Sequence, residues 1–167
     1  MGLDIATTSA LAVDDVTGGR PSCVTMTIGD YEGTGPKLAR FEDWLCDQIE
    51  FHAPEVVAIE APLIPGGNAL MTRAETVLLL IKLSGVAELV AERFGRKTML
   101  VNVARVKKHF TGSGRAEKAD MLKRCADLRW PVRNHNEADA CGVWSLAKAT
   151  IDPKWAPMAT PLFARAS

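Results

Sequence analysis

The stretch Val56-Val57-Ala58-Ile59-Glu60-Ala61-Pro62 determines how the rest of the chain is interpreted. An apolar run leads into one carboxylate, and Pro54 and Pro62 bound it. Such a run is typical of a strand that is covered on both faces, as in a mixed or parallel sheet. A buried, unpaired carboxylate would take up a proton, find a partner or bind a cation, because burying a charge is costly. Glu60 therefore lies either in solvent just past the sheet or in a functional site.

The residues before this strand predict a meander and then a helix. Strands are predicted over 2–5, 9–13 and 23–28, and short turns between them predict an antiparallel meander. Between Lys37 and Pro54 the apolar residues fall at helical spacing, at Leu38, Phe41, Leu45 and Ile49. Because a strand-helix-strand order requires a crossover connection, we expect the Glu60 strand to lie beside the first strand.

The residues after Pro62 predict a loop and a long apolar helix. The loop covers 63–70, and the pattern Thr72-x-x-Glu75 is that of a capping box at the start of a helix over 73–94. This helix is apolar nearly all round, so it is covered on two sides, either within a monomer or by a second subunit. Outward positions such as Leu80 are expected to lie in that second contact.

The remaining elements are one strand, three helices and a tail. The strand is predicted over 98–101, and the helices over 103–110, 115–128 and from about Asn136 to Thr150. We expect one domain over 1–151 and an extended C-terminal tail over 152–167, which is rich in proline.

The composition is that of a globular protein, and we expect the protein in the cytoplasm. Its 167 residues are 47% hydrophobic, and no apolar run approaches the ~20 residues of a membrane span. The first residues lack the features of a secretory signal. The four cysteines have no CxxC spacing, so we expect reduced thiols that fill the core rather than a zinc site or disulfides.

Charge is distributed unevenly although the net charge is zero. Residues 1–60 hold eleven acids and three bases, whereas residues 93–124 hold ten bases and two acids. A basic segment of this kind is either a solvated helical face or a surface that binds phosphates, and composition alone leaves both open.

Three acids on three predicted elements are candidates for one site. Asp4 lies in the first strand, Glu60 ends the strand predicted beside it, and Asp139 lies one turn into the last helix. Carboxylates held together repel one another unless a cation neutralises them, and oxygen ligands suit Mg²⁺ or Mn²⁺. Two such ions can promote phosphodiester hydrolysis.

Four segments together carry a family resemblance. They are Gly2-Leu3-Asp4 with Thr7-Thr8-Ser9, Ala58-Ile59-Glu60, the basic run from Val106 to Lys118, and Asn136-Glu137-Ala138-Asp139-Ala140. In order and character they resemble the RuvC-type Holliday-junction resolvases of the RNase H-like superfamily, especially the phage and prophage members. The basic run is the most specific of the four.

The resemblance implies a fold, an assembly and an activity. The fold is α/β and RNase H-like, with a five-stranded mixed sheet of three antiparallel and then two parallel strands, flanked by helices. The assembly is a homodimer through the 73–94 helix. The activity is metal-dependent cleavage of four-way junctions, in which Asp4, Glu60 and Asp139 are expected to hold two Mg²⁺ or Mn²⁺ ions. The bases expected to hold the DNA backbone are Arg105, Lys107, Lys108, Arg115 and Lys118.

The chain departs from the family pattern at two places. The family carries an acid three residues before the equivalent of Asp139, where this chain has Asn136. We rank Asn136 first as the fourth metal ligand, then His135, expected just outside the helix, and then Glu137, expected to face elsewhere. Asn136 can alternatively be the N-cap of the helix, a role that Asn favours. Only three residues precede Asp4, so a short first strand is expected.

Two further functions remain open from sequence. The same fold hosts nucleases that act on flaps, forks or RNA–DNA hybrids. A catalytically silent module that binds branched DNA is the alternative outside the enzymes, and the neutral Asn136 is the feature that favours it.

Overall fold

A computed structural model of the protein describes residues 1–15, 19–30, 33–62, 74–152 and 154–155. The strands are β1 (Gly2–Asp4), β2 (Thr8–Asp14), β3 (Pro21–Thr27), β4 (Val56–Glu60) and β5 (Lys97–Val101). The helices are α1 (Thr34–His52), α2 (Ala74–Arg93), α3 (Val103–Thr111), α4 (Lys118–Asp127) and α5 (His135–Ile151). The predicted loop over 63–70 and the capping residue Thr72 lie outside the described residues.

The five strands form one mixed sheet in the order β3-β2-β1-β4-β5. β1 pairs with β2, and β2 with β3, in antiparallel fashion, whereas β1 with β4 and β4 with β5 are parallel pairs. The predicted fold class, a five-stranded mixed sheet with flanking helices, is confirmed. So is the predicted position of the Glu60 strand beside the first strand.

Small side chains cover the sheet face on which α5 lies. Gly2 pairs with Ala12 on β2 and with Ala58 on β4, so these residues form one row across the sheet. A Cβ atom added to Gly2 would come within 2.3 Å of the backbone nitrogen of Trp144 in α5. The backbone of α5 therefore rests directly on β1, and no larger residue fits at position 2 without displacing the helix.

Large aliphatic side chains cover the opposite sheet face, against which α1 and α2 pack. From the sheet this core contains the buried side chains of Leu3, Leu11, Val13, Met26, Val57 and Ile59. Phe41, Leu45 and Ile49 are the buried residues of α1, which confirms the predicted helical face. Full burial of one such side chain contributes roughly 1.5–3 kcal/mol to the stability of the fold.

The outer surface of α2 keeps an apolar stripe. Leu78 is 54% exposed, Ile81 38% and Leu89 48%, and the exposed Gly85 lies between the last two. Steps of three and four residues place these positions on one helix face. The prediction that Leu80 points outward is wrong, because Leu80 is half-buried and packs against the aliphatic core. Helix geometry turns it about 200° away from Leu78.

Helices α3 and α4 pack on the outer side of α5. A Cβ added to Gly142 of α5 would come within 2.7 Å of Met121 on α4 and 3.0 Å of Val106 on α3. His109 on α3 shares a 3.0 Å hydrogen bond with the buried Ser145 on α5. α4 begins at Lys118 rather than at the predicted residue 115, because Glu117 and Asp120 form a capping box there.

Three of the four cysteines and the start of the tail belong to the core next to α5, whereas Cys46 on α1 packs against the aliphatic core. All four cysteines are free thiols, and the hydrogen bonds with Cys125 and Cys23, together with burial, raise the pKa of the Cys141 thiol. Of the predicted tail, Trp155 is buried, with its ring centroid 5.3 Å from that of Trp144. The extended conformation of the rest stays a prediction, since most of it lies outside the described residues. Within the described ranges, no helix combines the length and hydropathy of a membrane-spanning segment.

Candidate active site

Asp4 and Glu60 end two neighbouring parallel strands at the same level of the sheet. The register pairs Gly2 with Ala58 and Leu3 with Ile59, so one further step along each strand brings Asp4 beside Glu60. Side chains alternate between the two faces of a sheet, and both carboxylates therefore share the face of Gly2 and Ala58. This is the face that α5 covers.

Asp139 reaches the same place from α5. The close contact between Gly2 and the backbone of Ala140 and Trp144 fixes the first turns of α5 over β1. The charge of Asp139 acts on both Asp4 and Glu60. The three acids that the sequence singles out are thus brought together from β1, β4 and α5.

Burial and mutual repulsion perturb these three carboxyl groups. Burial, then the charges of Glu60 and Asp139, raises the pKa of Asp4 well above its usual range. Burial, then the charge of Asp139, raises the pKa of Glu60 to about 7. Burial also raises the pKa of Asp139, although Lys107, Lys118 and His135 oppose this increase. The site therefore favours either bound protons or a nearby cation.

Two of the predicted DNA-binding bases lie close enough to the acids to affect their ionisation. Lys107 on α3 lowers the pKa of both Glu60 and Asp139, and Lys118 at the start of α4 lowers that of Asp4 and Asp139. The other three bases have exposed side chains, namely Arg105, Lys108 and Arg115. Lys118 is exposed as well and Lys107 is half-buried, so the basic segment faces solvent while two of its bases act on the carboxylates.

The start of α5 differs from the sequence prediction. The helix begins at His135, and its N-cap is Asn134, whose Oδ1 accepts a 2.9 Å hydrogen bond from the backbone nitrogen of Glu137. The alternative that Asn136 is the N-cap is therefore wrong. His135 lies in the first turn rather than outside it, and its charge acts on Asp139.

Asn136 and Glu137 face different neighbours. Asn136 donates a 2.9 Å hydrogen bond through Nδ2 to the backbone oxygen of Thr8 on β2, so its Oδ1 is the atom that can serve as a ligand. Glu137 is fully buried and accepts hydrogen bonds from Thr25 and Arg133, as expected of a residue that faces away from the acids. Its role as the third-ranked ligand has no support in this arrangement.

Sequence reasoning missed the partners of Glu137. Arg133 lies four residues before it, a spacing at which helical side chains meet, and Asn134 lies three before it, as an N-cap does. These local signals predict the Arg133 and Asn134 contacts. Thr25, which is 112 residues away, has no local signal.

The residues present fit a hard divalent cation by their chemistry. Three carboxylates on converging elements supply the oxygen ligands that Mg²⁺ and Mn²⁺ prefer, and a cation would offset their repulsion. In the part of the chain that the structure describes, no group of three or more His, Cys, Asp or Glu side chains is already arranged as a metal-ion site. Asp4, Glu60 and Asp139 do not form such a group either, and they are the candidate ligands because of their chemistry and their mutual electrostatic effects, with Asn136 and His135 as neighbours.

The raised pKa values predict how stability depends on pH in metal-free protein. A carboxyl whose pKa is higher in the folded state favours folding while it is protonated, and this contribution is lost as pH rises from about 4.5 through about 7. In EDTA, Glu60→Gln should therefore raise the free energy of unfolding at pH 8 by up to about 3 kcal/mol and change it little at pH 4.5.

Urea denaturation at the two pH values measures this difference. Glu50→Gln, the same change at an exposed position on α1, is the control and should show no pH-dependent gain. Equal destabilisation by Glu60→Gln at both pH values would contradict the prediction.

Comparison with known proteins identifies similar sequences. The chain is 32% identical over 129 residues to the crossover junction endodeoxyribonuclease RuvC of Streptomyces avermitilis. The aligned region covers 72% of this chain and 69% of the relative. It is 32% identical over 118 residues to the RuvC of Streptomyces coelicolor, which covers 66% of this chain. The chain spans 60% of the length of the Streptomyces coelicolor and Streptomyces griseus relatives. No protein-family model matches the chain.

Solved structures share the fold at low sequence identity. Thermus thermophilus RuvC in complex with a Holliday junction substrate superposes with a TM-score of 0.68 at 17% identity, over 90% of this chain and 93% of that one. The yeast mitochondrial Holliday junction resolvase Ydc2 gives a TM-score of 0.57 at 14% identity, over 94% of this chain and 82% of that one. These likenesses concern the arrangement of the strands and helices.

Proposed function

The chain belongs to the RuvC family of crossover junction endodeoxyribonucleases, and we propose that it cuts four-way DNA junctions by metal-dependent phosphodiester hydrolysis. The observation that carries this proposal is the convergence of Asp4, Glu60 and Asp139 at one end of the β1 and β4 pair. Their raised pKa values support a site that operates with a cation.

The three carboxylates would hold two divalent ions per site, with Asn136 Oδ1 as the proposed fourth ligand. When bound, such ions would supply activation of a water molecule and stabilisation of the leaving oxygen of the phosphodiester. The sheet holds Asp4 and Glu60 in fixed register, and α5 supplies Asp139 from above. Rigid elements of this kind keep ligands in place without reorganisation during the reaction.

Lys107 and Lys118 would contact the phosphate that is cut. Both already act electrostatically on the carboxylates, so a phosphate bound at the site would lie between negative and positive groups. A positive side chain at this place offsets charge that develops on the phosphate oxygens. Arg105, Lys108 and Arg115 would hold the DNA backbone farther out, because phosphate contacts orient a duplex without reading its sequence.

We also propose a homodimer that forms through α2. The stripe of Leu78, Ile81 and Leu89 is apolar and exposed, and Gly85 within it adds no side chain. A twofold pairing of the α2 helices would bury the same stripe on both subunits. Two symmetric sites then suit two symmetric cuts on a four-way junction.

One cleavage experiment tests the proposed function. Purified protein is incubated with a synthetic four-way junction, a flap, a fork, an RNA–DNA hybrid and a linear duplex, in Mg²⁺, in Mn²⁺ and in EDTA. We expect metal-dependent cutting that is at least tenfold faster on the junction than on the other substrates. Binding without cutting in either metal would favour the silent module, and preferred cutting of the flap, fork or hybrid would favour the other nuclease specificities.

Junction affinity should depend steeply on salt through the basic segment. Neutralised phosphates release counterions, so each lost phosphate contact lowers the slope of log affinity against log salt by about one unit. Lys107→Ala with Lys108→Ala should therefore reduce the slope by about two units, measured by fluorescence anisotropy in EDTA from low to moderate salt.

The matched control removes two bases from the other side of the sheet. Lys37→Ala with Arg40→Ala changes α1 by the same charge and should leave the slope as in the wild type. If the Lys107 and Lys108 variant behaves like this control, the DNA lies on a different face.

A further inference from the structure

Glu137 is a fully buried carboxylate two residues before Asp139, in the first turn of α5. One of its oxygens, Oε1, accepts hydrogen bonds from Thr25 Oγ1 at 2.8 Å and from Arg133 Nε at 3.0 Å and the terminal guanidinium nitrogen at 2.7 Å. The other, Oε2, accepts a 2.7 Å bond from the backbone nitrogen of Arg133. The carboxylate is thus fully engaged by structural partners.

The helix directs Glu137 and Asp139 to opposite sides. Ala138 between them is fully buried against the core next to α5, and each helical residue turns by about 100°. Glu137 therefore points toward β3, where Thr25 lies, whereas Asp139 points toward β1 and β4. A displacement of the first turn that frees Glu137 must also move Asp139.

Thr25, which holds Glu137, lies in the same row across the sheet as Asp4 of the candidate site. Thr25 pairs with Ala10, and Ala10 pairs with Asp4, so the residue that holds Glu137 lies two strands from the first carboxylate. Neighbouring strands are about 4.8 Å apart. The hydrogen bond from Thr25 thus fixes the start of α5 relative to the very row that carries Asp4.

We propose that Glu137 is a positioning residue: with Thr25 and Arg133, it sets the place of Asp139 over Asp4 and Glu60 and so determines how tightly the site binds a divalent cation. The inference rests on the proposed function, because it assigns the cation to that same site. Glu137 itself does not contact the ion or the DNA.

The test measures binding of Mn²⁺ to the full chain without DNA, by isothermal titration calorimetry. Glu137→Gln and Thr25→Val should each weaken Mn²⁺ binding by about tenfold, since partners that orient ligands typically affect affinity by 10- to 100-fold. Thr25→Ser keeps the hydroxyl and should bind Mn²⁺ as the wild type does. Junction cleavage by both weakened variants should return to near the wild-type rate when Mn²⁺ is saturating.

A control separates positioning from general stability. Asp14→Asn removes the partner of Lys148 at the far end of α5 and should reduce stability without changing Mn²⁺ affinity. If Glu137→Gln and Thr25→Val also lose stability but keep wild-type Mn²⁺ affinity, the proposal is overturned. It is equally overturned if saturating Mn²⁺ fails to restore cleavage by Glu137→Gln, since Glu137 would then act as a ligand.

The proposed function can fail separately. Wild-type protein that binds Mn²⁺ but cuts no DNA would contradict the nuclease activity, and the Mn²⁺ affinities of the variants would still decide the role of Glu137. Thr25→Val leaves the buried carboxylate and its Arg133 partner in place. Its Mn²⁺ affinity therefore still tests the proposal if Glu137→Gln does not fold.

Discussion

Asp4→Asn, Glu60→Gln and Asp139→Asn should each slow junction cleavage by about a thousandfold or more and leave junction binding within about threefold of the wild type. The amides keep the shape of the side chains but remove the charge that would hold the ions. Ion-based stabilisation of the transition state is worth several kcal/mol, and each 1.4 kcal/mol or so changes a rate tenfold. Single-turnover cleavage and anisotropy measured on the same preparations separate the chemical step from binding.

Stability measurements show whether a variant that fails to cleave is still folded. The same substitutions relieve carboxylate repulsion, so metal-free variants should unfold at or above the wild-type urea midpoint at pH 8. Asp47→Asn, an exposed change on α1, serves as the control and should cleave at the wild-type rate. If a variant of Asp4, Glu60 or Asp139 keeps a tenth of the wild-type cleavage rate, that residue does not hold an ion as proposed.

Leu78→Glu with Ile81→Glu should convert a dimer into a folded monomer that no longer makes paired cuts. In a twofold interface the two changes introduce four charges into a contact that would otherwise bury apolar side chains, each worth roughly 1.5–3 kcal/mol. Sedimentation at a protein concentration of about 10 µM should show the change in mass from dimer to monomer. On a supercoiled plasmid with a cruciform, the wild type should give linear product and the variant mainly nicked circles.

The control for this pair is another exposed apolar residue. Phe51 is 82% exposed at the end of α1, away from the stripe, and Phe51→Glu should leave both the mass and the paired cutting unchanged. A stable wild-type monomer at micromolar concentration would count directly against the proposed α2 interface.

The sheet and the pairing of the Glu60 strand with the Asp4 strand could be predicted from sequence because their signals are local, whereas Asp139 was joined to them only as a candidate and through the family resemblance. The apolar run before Glu60 marks a covered strand, and the crossover rule places that strand beside the strand of Asp4. Helical spacing in α1 likewise predicts the burial of Phe41, Leu45 and Ile49. Where a pattern is strong and lies within a short stretch of sequence, it predicts the type of element and its buried face correctly.

The remaining details depend on contacts that no local pattern specifies. α2 is apolar nearly all round, so its sequence cannot indicate which side faces outward, and the prediction that Leu80 lies on that side is wrong for this reason. The cap of α5 is Asn134 rather than Asn136, because Asn134 accepts the hydrogen bond from the backbone nitrogen of Glu137 while Asn136 is engaged with Thr8, which is distant in the chain. The burial of Glu137 depends on Thr25, which is distant in the chain.

The contact between Gly2 and α5 sets the distance between the sheet and the helix at the candidate site. Because backbone meets backbone there, the height of Asp139 above Asp4 and Glu60 is set by atoms that substitutions elsewhere cannot resize. Repacking around Trp144 and Trp155 can therefore vary while the separation of the carboxylates stays constant. One methyl group at position 2 would have the opposite effect, since it would lift the helix off β1 and move Asp139 away from Asp4 and Glu60 without altering any of the three acids. A designer who transplants these carboxylates to another α/β scaffold would have to transplant the glycine as well.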